Sequence, residues 1–127
     1  MEIQNKNLAP EIDVDMLAKS VEYVMEEAKV KTIEDYTVMI KAEPCPVGLL
    51  ENCGKGQHRC CPNCPEYFPQ TRTIALTKGR SNLGYVQEFA HEFWHLCVGD
   101  EKRMNYDDPR EQKAREITEK VCKKFGI

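Results

Sequence analysis

Apolar residues recur at helical spacing in three segments of this chain and at strand spacing in two. Over residues 13–31, Val14, Leu17, Ala18, Val21, Val24, Met25 and Ala28 form a stripe at intervals of three and four, with Asp13 placed to cap the first turn. Residues 82–98 read NLGYVQEFAHEFWHLCV without a proline, and Leu83, Val86, Ala90, Phe93, Trp94 and Cys97 repeat the same spacing. Ser81 or Asn82 can cap this second helix, and Gly99 stands where it would stop. A third stripe, Ala114, Ile117, Val121 and Phe125, marks a helix over 109–125. Residues 36–42 (YTVMIKA) and 72–78 (RTIALTK) carry the β-branched residues and partial alternation of strands, with Ile74 and Leu76 opposed to Thr73 and Thr77. The pattern predicts an α+β fold with a small sheet, an N-terminal helix and two later helices.

Between the two strands, residues 43–70 are rich in Pro, Gly and Cys, and are too long and irregular for an ordinary turn. Such an insertion needs something besides an apolar core to hold it, and its cysteines are the candidates. With 127 residues, 41% of them hydrophobic, the chain has the length of one domain (1–127) with one core. A net charge of -3 gives no electrostatic case for nucleic acid as a direct ligand. No apolar run reaches the length of a membrane span, and the opening MEIQNKNLAPEID lacks the basic and apolar regions of a signal peptide. The expected location is cytoplasmic, where clustered cysteines bind metal more often than they form disulfides.

His91-Glu92-Phe93-Trp94-His95 changes the picture most, because it is an H-E-x-x-H pattern on the second helix. Residues four apart share a helix face, so both imidazoles can hold one Zn²⁺ while the glutamate beside the first reaches a water at the ion. A site of this kind hydrolyses amides: the metal activates water and polarises the carbonyl, and the carboxylate moves the proton. The blander reading is a surface helix that carries two histidines by chance. Only three histidines occur in the chain, and two of them take this spacing around a glutamate.

A catalytic zinc keeps three protein ligands and an open position. No histidine follows His95, so the third ligand is acidic or a cysteine: Asp100, Glu101, Asp107, Asp108, Glu111, Glu116, Glu119 or Cys122. Glu111 lies three residues before Ala114 and extends the inward stripe of the last helix, whereas Glu116 and Glu119 lie with Lys120 and Lys123 on its polar side. Glu111 is the preferred ligand, with Asp107 or Asp108 as the alternative. A competing role for Glu111 is helix capping, since Asp108-Pro109-Arg110-Glu111 is also a cap, a proline at the first helical position and a glutamate at the third.

His91-Glu92-Phe93-Trp94-His95 with Glu111-Gln112-Lys113-Ala114 resembles the H-E-x-x-H plus E-x-x-A pair of the glutamate-zincin metallopeptidases. It is most similar to the small ImmA/IrrE-type peptidase domains. The resemblance covers roughly residues 72–125; Trp94 is bulkier than the family's usual residue there, and Arg115 stands where Asn or Asp is usual. It implies a zincin-like α+β fold with a mixed sheet and an edge strand that binds peptide, and limited proteolysis of a protein substrate, often a repressor. On that layout Ile74 and Leu76 lie on the strand that pairs an extended peptide through its main chain. His91, His95 and Glu111 would hold the catalytic Zn²⁺, and Glu92 would serve as general base and then general acid.

Cys45, Cys53, Cys60, Cys61 and Cys64, with His58, fall in the insertion, and Cys61-Pro62-Asn63-Cys64 has a spacing that suits tetrahedral zinc. A second, structural Zn²⁺ on four of these six is the leading reading; free thiols or disulfides are the others, and the spacing matches no ferredoxin pattern. Cys97 and Cys122 fall on apolar helix faces and read as packed thiols. Two functions of different class follow, and the motif also admits a hydrolase acting on a non-peptide amide. One is a zinc metallopeptidase acting on a peptide or protein substrate. The alternative is a metal-stabilised regulatory or protein-binding module with a vestigial site. Glu92 separates them, because a purely structural zinc has no use for it.

Overall fold

The computed structural model describes residues 3–6, 14–41, 65–79, 81–99 and 108–125. They form an α+β fold in the order β1 (Ile3–Lys6), α1 (Val14–Ala28), β2 (Tyr36–Ile40), β3 (Glu66–Phe68), β4 (Thr73–Leu76), α2 (Asn82–Val98) and α3 (Pro109–Phe125). The sheet is mixed, with strand order β1-β2-β4-β3. β1 runs parallel to β2 and β2 parallel to β4, while β3 is antiparallel to β4. A parallel neighbour needs a crossover, and α1 provides it between β1 and β2.

α1 buries Leu17, Val21, Val24 and Met25, as its stripe predicts. Ala18, also placed in that stripe, is exposed, and Ser20 is buried instead. The serine tolerates this because its hydroxyl donates to the Leu17 carbonyl at 2.7 Å, one turn back. The helix ends at Ala28, short of the expected residue 31. Lys29 adopts the left-handed conformation (φ 59°), and the Val30 amide donates to the Met25 carbonyl at 2.9 Å, which closes the last turn.

Along β2, Tyr36, Val38 and Ile40 are buried and alternate with half-buried Thr37 and Met39, so one face of the sheet meets the helices. Ile74, Ala75 and Leu76 of β4 are all buried, and β4 has a paired strand on each side. Arg72 ties the starts of β2 and β4 together. Its carbonyl accepts from Thr37, and its guanidinium donates to the carbonyls of Asp35 at 3.0 Å and Glu34 at 3.1 Å.

α2 packs on the sheet and between α1 and α3. Its burial therefore extends well beyond the predicted stripe, to Tyr85, Phe89 and Leu96, while Leu83 at its start is 40% exposed. Tyr36, Phe89 and Phe93 form the aromatic centre of the core. The two phenylalanine rings are stacked 5.3 Å apart, and Tyr36 lies 5.2 Å from Phe93. Ala114, Ile117 and Val121 bury the inner face of α3, as expected.

Candidate metal centre

Three capped helix ends set the ligands in place. Ser81 is extended (φ -75°, ψ 168°) and its hydroxyl accepts from the Gly84 amide, so α2 starts at Asn82. Gly99 closes it in the left-handed conformation (φ 75°), with its amide turned back on the carbonyls of His95 and Leu96. In α3 the cap is Asp108: its carboxylate accepts from the Arg110 amide at 2.9 Å, and its carbonyl accepts from the Gln112 amide at 3.0 Å. The Arg110 guanidinium binds the same carboxylate and holds the Asp108 carboxyl below its usual range.

With α3 started there, Glu111 points at α2. One carboxylate oxygen contacts Nε2 of His91, and the other lies 3.2 Å from Nε2 of His95. The rings of His91 and His95 are 5.2 Å apart, edge to face. One ligand atom from each of the three residues lies within 4.8 Å of the others. Donors on a tetrahedral ion at about 2.0–2.1 Å sit a little over 3 Å apart, so this spread suits a single metal. His91, His95 and Glu111 can therefore hold a metal ion. His95 is the most enclosed, 8% exposed at its side chain, and His91 and Glu111 are 19% and 18% exposed.

Burial pushes the Glu111 carboxyl up, but the hydrogen bonds and charges of His91 and His95 outweigh it. The group is held well below the ordinary carboxylate range and stays ionised. Its side chain is engaged with the two imidazoles. Asp108 is taken by Arg110. Glu116 is exposed and pairs with Lys113 and Lys120. Asp100, Glu101 and Asp107 lie outside the described residues. Glu92 is half-buried beside His91 and has no ion pair or hydrogen bond among the described residues.

Ile74 and Leu76 require a correction. β4 is hydrogen-bonded to β2 on one side and to β3 on the other, and both side chains are completely buried. A strand already paired twice has no free main-chain edge for a peptide. The sheet edge on that side belongs to β3, whose Tyr67 pairs with Ile74. The cysteine cluster of Cys45, Cys53, Cys60, Cys61 and Cys64, with His58, lies outside the described residues. Cys97 and Cys122 are free and half-buried. Burial pushes the Cys97 thiol up to about 12 and raises that of Cys122.

Two side chains behind the ligands escaped the sequence reading. Glu88 is fully buried and accepts the Thr77 amide at 2.7 Å. The Tyr85 hydroxyl accepts the Gly79 amide at 3.1 Å. The available signal was register: Glu88 stands three residues before His91, four before Glu92 and seven before His95, a charged residue on the ligand face of a helix otherwise sunk in the core. Across the described residues, no helix is long and apolar enough to cross a membrane. No family model, curated protein or solved structure matches the chain, so the chemistry of the centre is argued from its own residues.

Proposed function

We propose that this chain is a zinc-dependent metallopeptidase of the glutamate-zincin kind, cleaving peptide bonds of a protein substrate in the cytoplasm. The observation that carries this reading is the meeting of His91, His95 and Glu111 beside a Glu92 whose carboxylate has no partner among the described residues. Two imidazole nitrogens and one carboxylate are a set that zinc accepts while keeping a position open. A bound zinc ion supplies the Lewis acid that lowers the pKa of water and polarises the scissile carbonyl.

The remaining work falls to the chain. Glu92 has its carboxylate free to accept a proton from the attacking water and to deliver it to the leaving amine. Glu111 keeps its charge and balances the cation. The extended substrate would lie along β3 and not β4, adding a strand at the outer edge of Glu66–Phe68.

The test is a comparison of wild type with Glu92→Gln, both loaded with zinc, against a peptide library read for new termini by mass spectrometry. Cleavage is expected in wild type only, with equal zinc content in both proteins. Loss of a general base costs on the order of a hundredfold or more in rate. Equal cleavage by the two would remove Glu92 from the chemistry. Zinc-loaded wild type that cleaves no peptide would favour the metal-stabilised binding module.

A further inference from the structure

A carboxylate at the centre of an apolar core is costly unless it is hydrogen-bonded. Glu88 is completely buried, and its Oε1 accepts the amide of Thr77 at 2.7 Å. Thr77 is the first residue beyond β4. The sheet ladder closes one residue earlier, where Leu76 accepts from Lys41 at 2.9 Å. Two residues on, Gly79 turns the chain in the left-handed conformation (φ 85°), and its amide donates to the Tyr85 hydroxyl at 3.1 Å. Tyr85 and Glu88 stand three apart on α2, so both grip the 77–79 turn from one face of the helix.

We propose that Glu88 and Tyr85 are positioning residues for the His91–His95–Glu111 centre: they clamp the 77–79 turn to α2 and fix the height of the ligand-bearing helix along β4. This rests on the reading that the centre holds a metal. Phe89 and Phe93 meet Tyr36 of the sheet through apolar, non-directional ring contacts, which resist separation far better than sliding. The centre needs more than that. Two ligands ride on α2 and one on α3, and functional centres tolerate errors of only about 0.5 Å. Glu88 lies three residues before His91, about 4.5 Å along the helix axis at the usual rise, so a shift at the clamp passes to the ligand through one rigid turn.

Cobalt binding tests this, followed by the intensity and position of the ion's visible absorption, with far-ultraviolet circular dichroism as the folding control. Tyr85→Phe keeps the ring and removes the hydroxyl that holds the Gly79 amide; it should weaken cobalt binding several-fold and alter the visible spectrum. Glu88→Ala should weaken it by about tenfold or more, the range seen when outer supports of a metal site are lost. Glu88→Gln retains an oxygen acceptor for the Thr77 amide and should restore affinity to within about threefold of wild type, with a wild-type spectrum. If Glu88→Ala does not fold, Tyr85→Phe decides. Folded Tyr85→Phe and Glu88→Ala proteins with wild-type affinity and spectrum would overturn the positioning role while leaving the metal centre intact. A wild-type chain that binds no cobalt would instead overturn the metal reading beneath it.

Discussion

At the scale of single residues, Glu111 decides between a helix cap and a metal ligand. Glutamine serves as well as glutamate in a capping box, but a neutral amide is a poor donor to zinc. Glu111→Gln is therefore expected to keep its helix content and lose at least tenfold in zinc affinity. Glu116→Gln, which removes only exposed pairs with Lys113 and Lys120, should change neither. Isothermal titration with zinc checks both, and unchanged affinity in Glu111→Gln would remove it from the ligand set. The same carboxylate predicts an acid limb in the metal-free chain. Its folded pKa is lowered, so its contribution is complete above the unfolded value of about 4.3 and is lost as the pH falls below it. Denaturant midpoints of wild type and Glu111→Gln, measured in chelator from pH 6 downward, should converge on acidification; parallel curves would contradict this. Cys97 gives a third expectation. With its thiol pushed up to about 12 by burial, it should resist alkylation at pH 8 in the native protein and react once the protein unfolds. Peptide mapping of the labelled protein reads this directly, and fast native labelling of Cys97 would mean that its end of α2 opens readily.

At the scale of elements, the ends of α2 matter as much as its middle, because His95 lies in the last turn. Gly99→Ala meets no atom within 4 Å, so its cost is conformational alone, about 1–2 kcal/mol for a side chain in the left-handed region. Ser81→Ala removes a cap worth about 1 kcal/mol. Both should lower the midpoint of chemical denaturation without abolishing zinc binding, and a Gly99→Ala protein as stable as wild type would show that the last turn is held by packing alone. The helices were legible because their periodicity is local, and the approach of His91 to His95 because a helix brings positions four apart together whatever surrounds it. Glu111 was legible through its place in the stripe of Ala114, Ile117 and Val121. β1 and β3 were not: IQNK and EYF are too short to show alternation, and only pairing with β2 and β4 makes them strands. The misplacement of the sheet edge on β4 follows from the same gap, since strand order depends on partners distant in sequence. Ser20 and Glu88 are buried polar residues that hydrogen-bond to the main chain, a compensation that no hydropathy pattern displays.

At the scale of the whole molecule, the proposed metal joins α2 to α3, and α3 touches the rest of the described fold chiefly through α2, with fewer contacts to α1. Without the ion, the seam between these helices rests on Ala114, Ile117 and Val121 against α2, and on Glu111 between two imidazoles. A ligand that binds only the folded state stabilises it by RT ln(1 + [L]/Kd), about 4 kcal/mol when free zinc exceeds Kd a thousandfold. For a chain of this size that corresponds to a rise of about 10 °C or more in the melting temperature. Chelation should therefore lower the melting temperature of wild type by about that amount, and zinc should restore it. In His91→Ala and His95→Ala the part of that response due to this centre should vanish, because two remaining ligands hold the ion weakly. Comparing each mutant with wild type isolates the centre from any other zinc bound by the chain. A chelation shift in both mutants equal to that of wild type would show that the stabilising metal sits elsewhere, and the seam between α2 and α3 would then stand on packing and on the Glu111 hydrogen bonds alone.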